Sequence, residues 1–239
     1  MLDLQLLDPK TLTLLDNPIW NALSTRQSEY ALGNGLAKRF HPDIGPLSGL
    51  LRQSPEAYAS LGRLLKPDEP AVLFLEEEPR QPEDWKLIMH KQLVQMICPQ
   101  VTVDLDESAL EPLTESDVPA MLELTALTEP GPFRSRTWEL GGFLGIRHEG
   151  QLAAMAGQRL APPGFTEVSA VCTHPDFRGR GYARLLVAAV AKQILKRGET
   201  PFLTSFEHNT GAIRVYESVG FTLRRNFHLA FLSKGPSQP

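Results

Sequence analysis

Four consecutive residues, Arg178-Gly179-Arg180-Gly181, have the makings of an anion site. A helix with an apolar stripe begins just after them, and the first backbone N–H groups of a helix have no partner inside it. Glycine at 179 and 181 lets the main chain approach a ligand with no Cβ in the way. Arg178 and Arg180 add charge, and a guanidinium grips phosphate oxygens through a forked pair of hydrogen bonds. The direct inference is a phosphate-bearing ligand. Two nucleotide readings fail. A dinucleotide fingerprint needs a third glycine where Arg184 stands, and a tighter turn than the gap from Cys172 to Gly179 allows. The GxxxxGK[ST] phosphate loop is absent.

The elements that must carry this turn are legible around it. Upstream, Thr114 with Glu115-Ser116-Asp117 caps or leads a helix through Met121–Leu127. Gly142–Arg147 and Gln151–Arg159 read as strands joined by the hairpin turn His148-Glu149-Gly150, and Thr166–Thr173 as a third strand. In the helix after the turn, Tyr182, Leu185, Leu186, Ala189, Val190 and Ile194 recur at spacings of three and four and form one apolar face. Lys196 and Arg197 suit its C-terminal dipole, and Gly198 suits the residue beyond it. Pro201–Phe206 is a short strand. Asn209 caps a second helix, Thr210–Val219, closed by Gly220, and Phe221–Leu223 and His228–Leu232 are terminal strands. Thr166–Thr173 and Pro201–Phe206, joined by a helix, should lie side by side and parallel.

The residues on this frame resemble a known family. Arg178-x-x-Gly181-x-Ala183 is similar to the [Q/R]-x-x-G-x-[G/A] pyrophosphate loop of the GNAT superfamily of N-acetyltransferases, and Asn209-x-x-Ala212-x-x-x-Tyr216-x-x-x-Gly220-Phe221 to that family's later helix. The resemblance covers about Val101 to Lys234 and is closest to the branch of glycine N-acyltransferases, where a degenerate half-domain often precedes the catalytic one. It implies an α+β fold with a mixed, mostly antiparallel sheet, central parallel strands that splay apart, and flanking helices. It divides the chain into a smaller α/β domain at 1–100 and a GNAT domain at 101–239.

The resemblance also implies roles. Main-chain amides of Gly179, Arg180, Gly181, Tyr182, Ala183 and Arg184, with Arg178, would cradle the pyrophosphate of acetyl-CoA. Val171 and Thr173, beside Cys172, would hold the pantetheine arm through their backbone, and Asn209 and Tyr216 would lie along it. Such an enzyme transfers an acyl group directly to a primary amine in a ternary complex. The amine must lose a proton first, since lysine-like amines titrate near 10, and the leaving thiolate, whose thiol titrates near 8.5, benefits from a donor. Tyr216 would be the general acid and Glu167 the base, directly or through water. A backbone N–H near Val171 or Cys172 would polarise the carbonyl. The acceptor site would draw on the early region that holds Arg134, Arg136 and Trp138. Read alone, Tyr216 is a packing residue, Asn209 a helix cap, and Glu167 a solvent-facing acid at a strand start. Cys172 reads as a small buried apolar residue, not a nucleophile. His174 before Pro175 reads as structural, with His208 a minor candidate.

Bulk properties narrow the alternatives. The 239 residues carry 24 basic and 28 acidic side chains and a net charge of −4, with a pI near 5.9. This balance disfavours nucleic-acid binding through Arg178–Gly181, as does the lack of interleaved aromatics. Two cysteines, Cys98 and Cys172, give neither a disulfide framework nor zinc spacing, and no metal is expected. Residues 1–8, MLDLQLLD, make a poor secretion leader. No uncharged run approaches a membrane span of about 20 residues, so the expected location is the cytoplasm. The tail Gly235–Pro239 is expected to fray. In the first hundred residues, Ala71–Leu75 and Trp85–Met89 read as strands, and Asn21–Lys38 and Pro55–Leu65 as helical, with Ser54 an N-cap. A CoA-binding regulatory or interaction protein without turnover is the competing reading, motivated by this motif-free half.

Overall fold

The computed structural model describes residues 8–104 and 106–235. The expectations for the leader and for the tail beyond Gly235 fall on residues outside these. Among the described residues eleven strands form one mixed sheet. In chain order they are β1 (Ala31–Leu32), β2 (Ala37–Phe40), β3 (Leu47–Leu50), β4 (Ala71–Leu75), β5 (Trp85–Ile97), β6 (Glu111–Leu113), β7 (Phe143–His148), β8 (Gln151–Gln158), β9 (Phe165–Thr173), β10 (Thr200–Phe206) and β11 (Thr222–Lys234). Across the sheet the order is β1-β2-β3-β4-β11-β5-β10-β9-β8-β7-β6. Only β3–β4 and β9–β10 pair in parallel among these neighbours. The helices are α1 (Pro9–Leu12), α2 (Pro18–Leu23), α3 (Pro55–Gly62), α4 (Val118–Thr128), α5 (Tyr182–Lys196) and α6 (Thr210–Val219). This is the expected mixed α+β architecture.

Local rules account for most of these elements. Ser54 caps α3 by accepting from Ala57 N–H. Thr114 and Asp117 form a reciprocal capping box ahead of α4. Glu149 and Gly150 both adopt positive φ, 50° and 86°, the pattern of a two-residue turn whose twist suits a hairpin. α5 buries more than the expected stripe, since Val187, Ala188 and Ala191 are also inside. It lies on the sheet and also against α6, so two directions must be apolar.

Three expectations are corrected. Asn21–Lys38 is not a helix. After α2 the chain turns at Gly33 and Gly35, with φ of 89° and 73°, and β1 pairs with β2. The positive φ favours glycine at 33, where a Cβ would also meet the Ala37 carbonyl oxygen at 2.9 Å, and glycine breaks the helical run. Trp85–Met89 is only the start of β5, which runs on to Ile97. The two terminal strands are one, β11, interrupted by register shifts at Leu223/Arg225 and Phe231/Leu232.

β5 comes from the first hundred residues yet lies between β11 and β10, so the sheet is continuous across residue 100. Two core clusters cover its opposite faces. One packs α5 and α6 on Val94, Met96, Val168 and Leu203. The other packs α2 on Val72, Phe74, Leu93, Phe165 and Phe202. α4 covers the opposite face of β7–β9 through Met121 and Leu124.

Gln27 stitches the two halves together. Its amide donates to the Arg159 carbonyl at 2.6 Å and accepts from Ala161 N–H at 3.0 Å, and the residue is only 3% exposed. Gln27→Ala would leave two buried backbone groups unpaired, at about 1–3 kcal/mol each. Urea unfolding should therefore show a loss of about 2–6 kcal/mol, and an unchanged midpoint would show that the contact contributes nothing.

Candidate active site

The parallel ladder between β9 and β10 holds for only three pairs, Phe165–Thr200, Thr166–Pro201 and Glu167–Phe202. Beyond them β9 stays with β8 and β10 stays with β5. The cause sits in β9. Met155 faces Cys172 and Gly157 faces Ser169, so Ala156 alone opposes Ala170 and Val171. This is a β-bulge, and a bulge bends its strand away from the flat sheet. Ala170 takes φ 50°, a left-handed conformation that costs an L-residue about 1–2 kcal/mol. The cleft that opens leaves backbone groups on the facing edges of both strands without ladder partners.

The glycine turn lies at the end of α5 nearest this cleft in sequence, since β9 runs into it through a single turn at Pro175–Phe177. Gly179 and Gly181 have φ of 78° and 80°, and nothing lies within 4 Å of a Cβ built on either. Conformation therefore demands glycine there, while the space is open to a ligand. Gly181 is the N-cap of α5 and makes no side-chain cap, so the first N–H groups of the helix face outward. Arg178, Arg180 and Arg184 are exposed. Arg178 Nε reaches the Thr173 carbonyl at 3.4 Å, and Arg180 lies over the Phe177 ring at 5.1 Å.

α6 brings up the phenol. Asn209 caps it, accepting from Ala212 N–H at 3.4 Å. Tyr216 packs on Phe221 with ring centroids 6.3 Å apart and is 9% exposed. Burial pushes its hydroxyl up to about 12. That hydroxyl has no hydrogen-bond partner among the described residues, so its proton is free for a ligand.

Glu167 is placed otherwise than as a solvent-facing acid. It is 1% exposed and lies at the last rung of the parallel ladder. Arg159 Nε and Nη2 clasp its carboxylate at 2.8 and 2.9 Å, and Thr204 donates to Oε1 at 2.9 Å. A carboxylate has about four acceptor positions. Three are filled, and the open one is on Oε2.

Sequence reasoning did not find Arg159, Thr204 or the Ala170 bulge. The only signal for the first was an arginine at a strand end eight residues before a glutamate; nothing in an alanine announces positive φ. Beneath the bulge lies a cavity of about 10 Å³ bordered by Phe133, Thr137, Arg159, Ser169 and Ala170, with room for about one water. It opens on the face covered by α4, opposite α5 and α6. A larger cavity, about 440 Å³ beside Asp16, Arg52 and Glu76, contains no residue of either motif.

Both cysteines are buried, and burial pushes Cys98 up to about 12 and Cys172 up to about 11. Neither is a thiolate at neutral pH, and the thiol is a poor nucleophile. His174 accepts from Asp176 N–H at 3.3 Å and packs on Phe177, a structural placement. Among the described residues no group of three or more His, Cys, Asp or Glu side chains is placed to hold a metal, and no helix is long and apolar enough to cross a membrane.

The family model described as FR47-like protein matches residues 143–229, which span the hairpin, the cleft strands, α5 and α6. A GNAT-family protein of Novosphingobium aromaticivorans, described as an acetyltransferase, is 41% identical. That match covers 93% of this chain and 99% of the other, with a TM-score of 0.87. A GCN5-related N-acetyltransferase from Kribbella flavida is 17% identical over 87% of this chain and 92% of its own, with a TM-score of 0.57. A GCN5-related N-acetyltransferase-like protein from Streptococcus suis is 14% identical over 94% and 98%, with a TM-score of 0.60. These last two share the fold alone. No curated protein matches the sequence.

The state of the thiols gives a direct check. A disulfide reagent should label neither of the 2 cysteines in the folded protein within minutes and both in guanidinium. Fast labelling of Cys172 in the native state would contradict its placement.

Proposed function

Since this chain belongs to the GNAT family of acetyltransferases, we propose that it transfers the acetyl group of acetyl-CoA to a primary amine by direct attack in a ternary complex. The observation that carries the proposal is the open V between β9 and β10, with a helix N-terminus and two positive-φ glycines following the β9 arm. The amides of Gly179–Arg184 hold the pyrophosphate, aided by Arg178 and Arg180. The pantetheine lies along the free edge of β9 at Val171, Cys172 and Thr173, taking hydrogen bonds an adjacent strand would otherwise make. Asn209 flanks it.

Chemistry then occurs at the narrow end of the V. The amine attacks the thioester carbonyl, whose oxygen takes a hydrogen bond from a free N–H at the bulge. The C–S bond breaks, and Tyr216 supplies a proton to the departing sulfur. A phenol held at about 12 stays protonated through the working range, as a donor must. Glu167 receives the proton of the amine through a water at the open position on Oε2. Arg159 and Thr204 hold the carboxylate in place. Buried cysteine thiols fit a mechanism with no acyl-enzyme.

Binding comes first in testing. Acetyl-CoA should raise the melting temperature where adenosine and NAD do not, and no shift at millimolar acetyl-CoA would sink the proposal. Tyr216→Phe should lower kcat on the order of 10²-fold with acetyl-CoA affinity unchanged; a full kcat would take Tyr216 out of the chemistry.

The pH profile is a separate check. Activity should rise from pH 7 to 9 as the amine deprotonates. No alkaline limb from Tyr216 should appear below about 10, because its folded value lies higher. The same upward shift adds stability that is present below the unfolded value and lost as pH climbs toward about 12. Tyr58 is raised likewise, to about 12. Thermal melts should therefore weaken above pH 10, and a flat melt profile there would contradict the burial of these two phenols.

A further inference from the structure

The cavity beneath Ala170 adjoins a larger space. The segment after α4 borders it with Gly131, Pro132 and Phe133, and the same three residues border a groove of about 360 Å³. The opposite wall of that groove comes from the first hundred residues and the last strand: Pro46, Pro70, Val72 and Phe231. A second groove of about 370 Å³ follows, sharing Pro46, Pro70 and Arg134 with the first. Path and walls thus run from the bulge outward between the two halves of the chain. Backbone bonds fix their spacing: Arg136 N–H donates to the Asp43 carbonyl at 3.0 Å, and Thr137 Oγ1 to the Ile44 carbonyl at 2.7 Å. Proline walls are stiff, because the ring fixes φ.

The charges along this path are unevenly committed. Arg159, at the inner cavity, is clasped to Glu167. In the outer groove Arg39 and Glu69 neutralise each other through two contacts of 2.8 and 2.5 Å, and Asp43 lies 3.5 Å from His41. Arg134 differs. It borders both grooves, and only its backbone is engaged, the N–H donating to Thr137 Oγ1 at 2.7 Å. Its guanidinium makes no hydrogen bond or ion pair among the described residues. Glu129 borders the inner groove alone and is also unpaired among the described residues.

Resting on the transferase reading above, we propose that the acceptor is a primary amine on an apolar spacer with an anionic group at its far end. Arg134 receives that anion, and the first hundred residues supply the facing wall. The committed charges favour the separation. At the inner cavity the bordering cation, Arg159, is already paired with Glu167, so an anion next to the amine finds no free cation at that cavity, while Glu129 and Arg134 both border the groove beyond it. An anion several bonds out passes the apolar stretch at Phe133 and Val72 and reaches a free guanidinium, which binds carboxylate or phosphate through paired N–H groups. Glu129 in turn favours the incoming ammonium.

The test uses the full chain with acetyl-CoA and follows thiol release with 6-aminohexanoate, 6-aminohexyl phosphate, hexylamine and 1,6-diaminohexane. The two anionic probes should show KM values about tenfold or more below that of hexylamine, the scale of one charged hydrogen bond. Their ratio shows whether carboxylate or phosphate is preferred. Arg134→Ala should remove that advantage while leaving the hexylamine kcat and the KM for acetyl-CoA unchanged, and Arg134→Glu should shift preference to the diamine. Equal KM values for all four probes, unmoved by Arg134→Glu, would overturn this inference and leave the transferase reading standing. Acetyl-CoA binding with no turnover of either anionic probe would also count against the inference alone. Absence of acetyl-CoA binding would remove the transferase reading, and this inference with it.

Discussion

Much of this molecule follows from the early end of one hydrogen-bond ladder. β9 and β10 begin as ordinary parallel neighbours and part after Glu167 and Phe202. In a sheet interior, unpaired backbone donors and acceptors are costly unless something else satisfies them. Here the separation is imposed by a two-against-one bulge at Ala170 and Val171, and each strand keeps a full partner on its other side. The sheet thus tolerates a gap at its centre, with backbone groups along its edges open to an extended polar guest.

The gap divides the two faces of the sheet by function. On one face α5 and α6 pack over Val94, Val168 and Leu203, and they carry the glycine turn and the Tyr216 phenol. On the other face α4 and α2 cover different strands, and the space between them stays partly open. The N-terminal residues are woven into this design. β5 separates β10 from β11, and Gln27, Asp43 and Ile44 tie the first hundred residues to the loops beside the cleft. The wall they form is held by buried hydrogen bonds, so its position is coupled to that of Arg159 and the segment at 129–137.

Burial also sorts the reactive groups. Both thiols and the Tyr216 phenol are pushed upward, because a low-dielectric surrounding disfavours their anions. For the thiols this removes nucleophilicity; for the phenol it keeps the proton on the oxygen at neutral pH. Glu167 is buried as well, and Arg159 is buried beside it as its ion-pair partner. Removing either partner alone would leave an uncompensated buried charge.

What the sequence determined by itself is the local machinery. Glycine at 179 and 181 ahead of an apolar stripe, Asn209 before a helix, and Tyr216 one turn before Gly220 are short-range patterns, and short-range physics decides them. The parallel pairing of β9 with β10 was also legible, because a helix joins them. Tertiary structure alone decided the rest. Glu167 could not be seen as buried, since its partner Arg159 sits eight residues away and Thr204 thirty-seven. The helix expected at Asn21–Lys38 gave way to strands because Gly33 and Gly35 turn the chain in left-handed conformations and β1 pairs with β2. The central place of β5 depends on pairing with strands more than a hundred residues later. Such pairings are set by side-chain packing across the sheet, and no local propensity encodes which distant strand will be the neighbour.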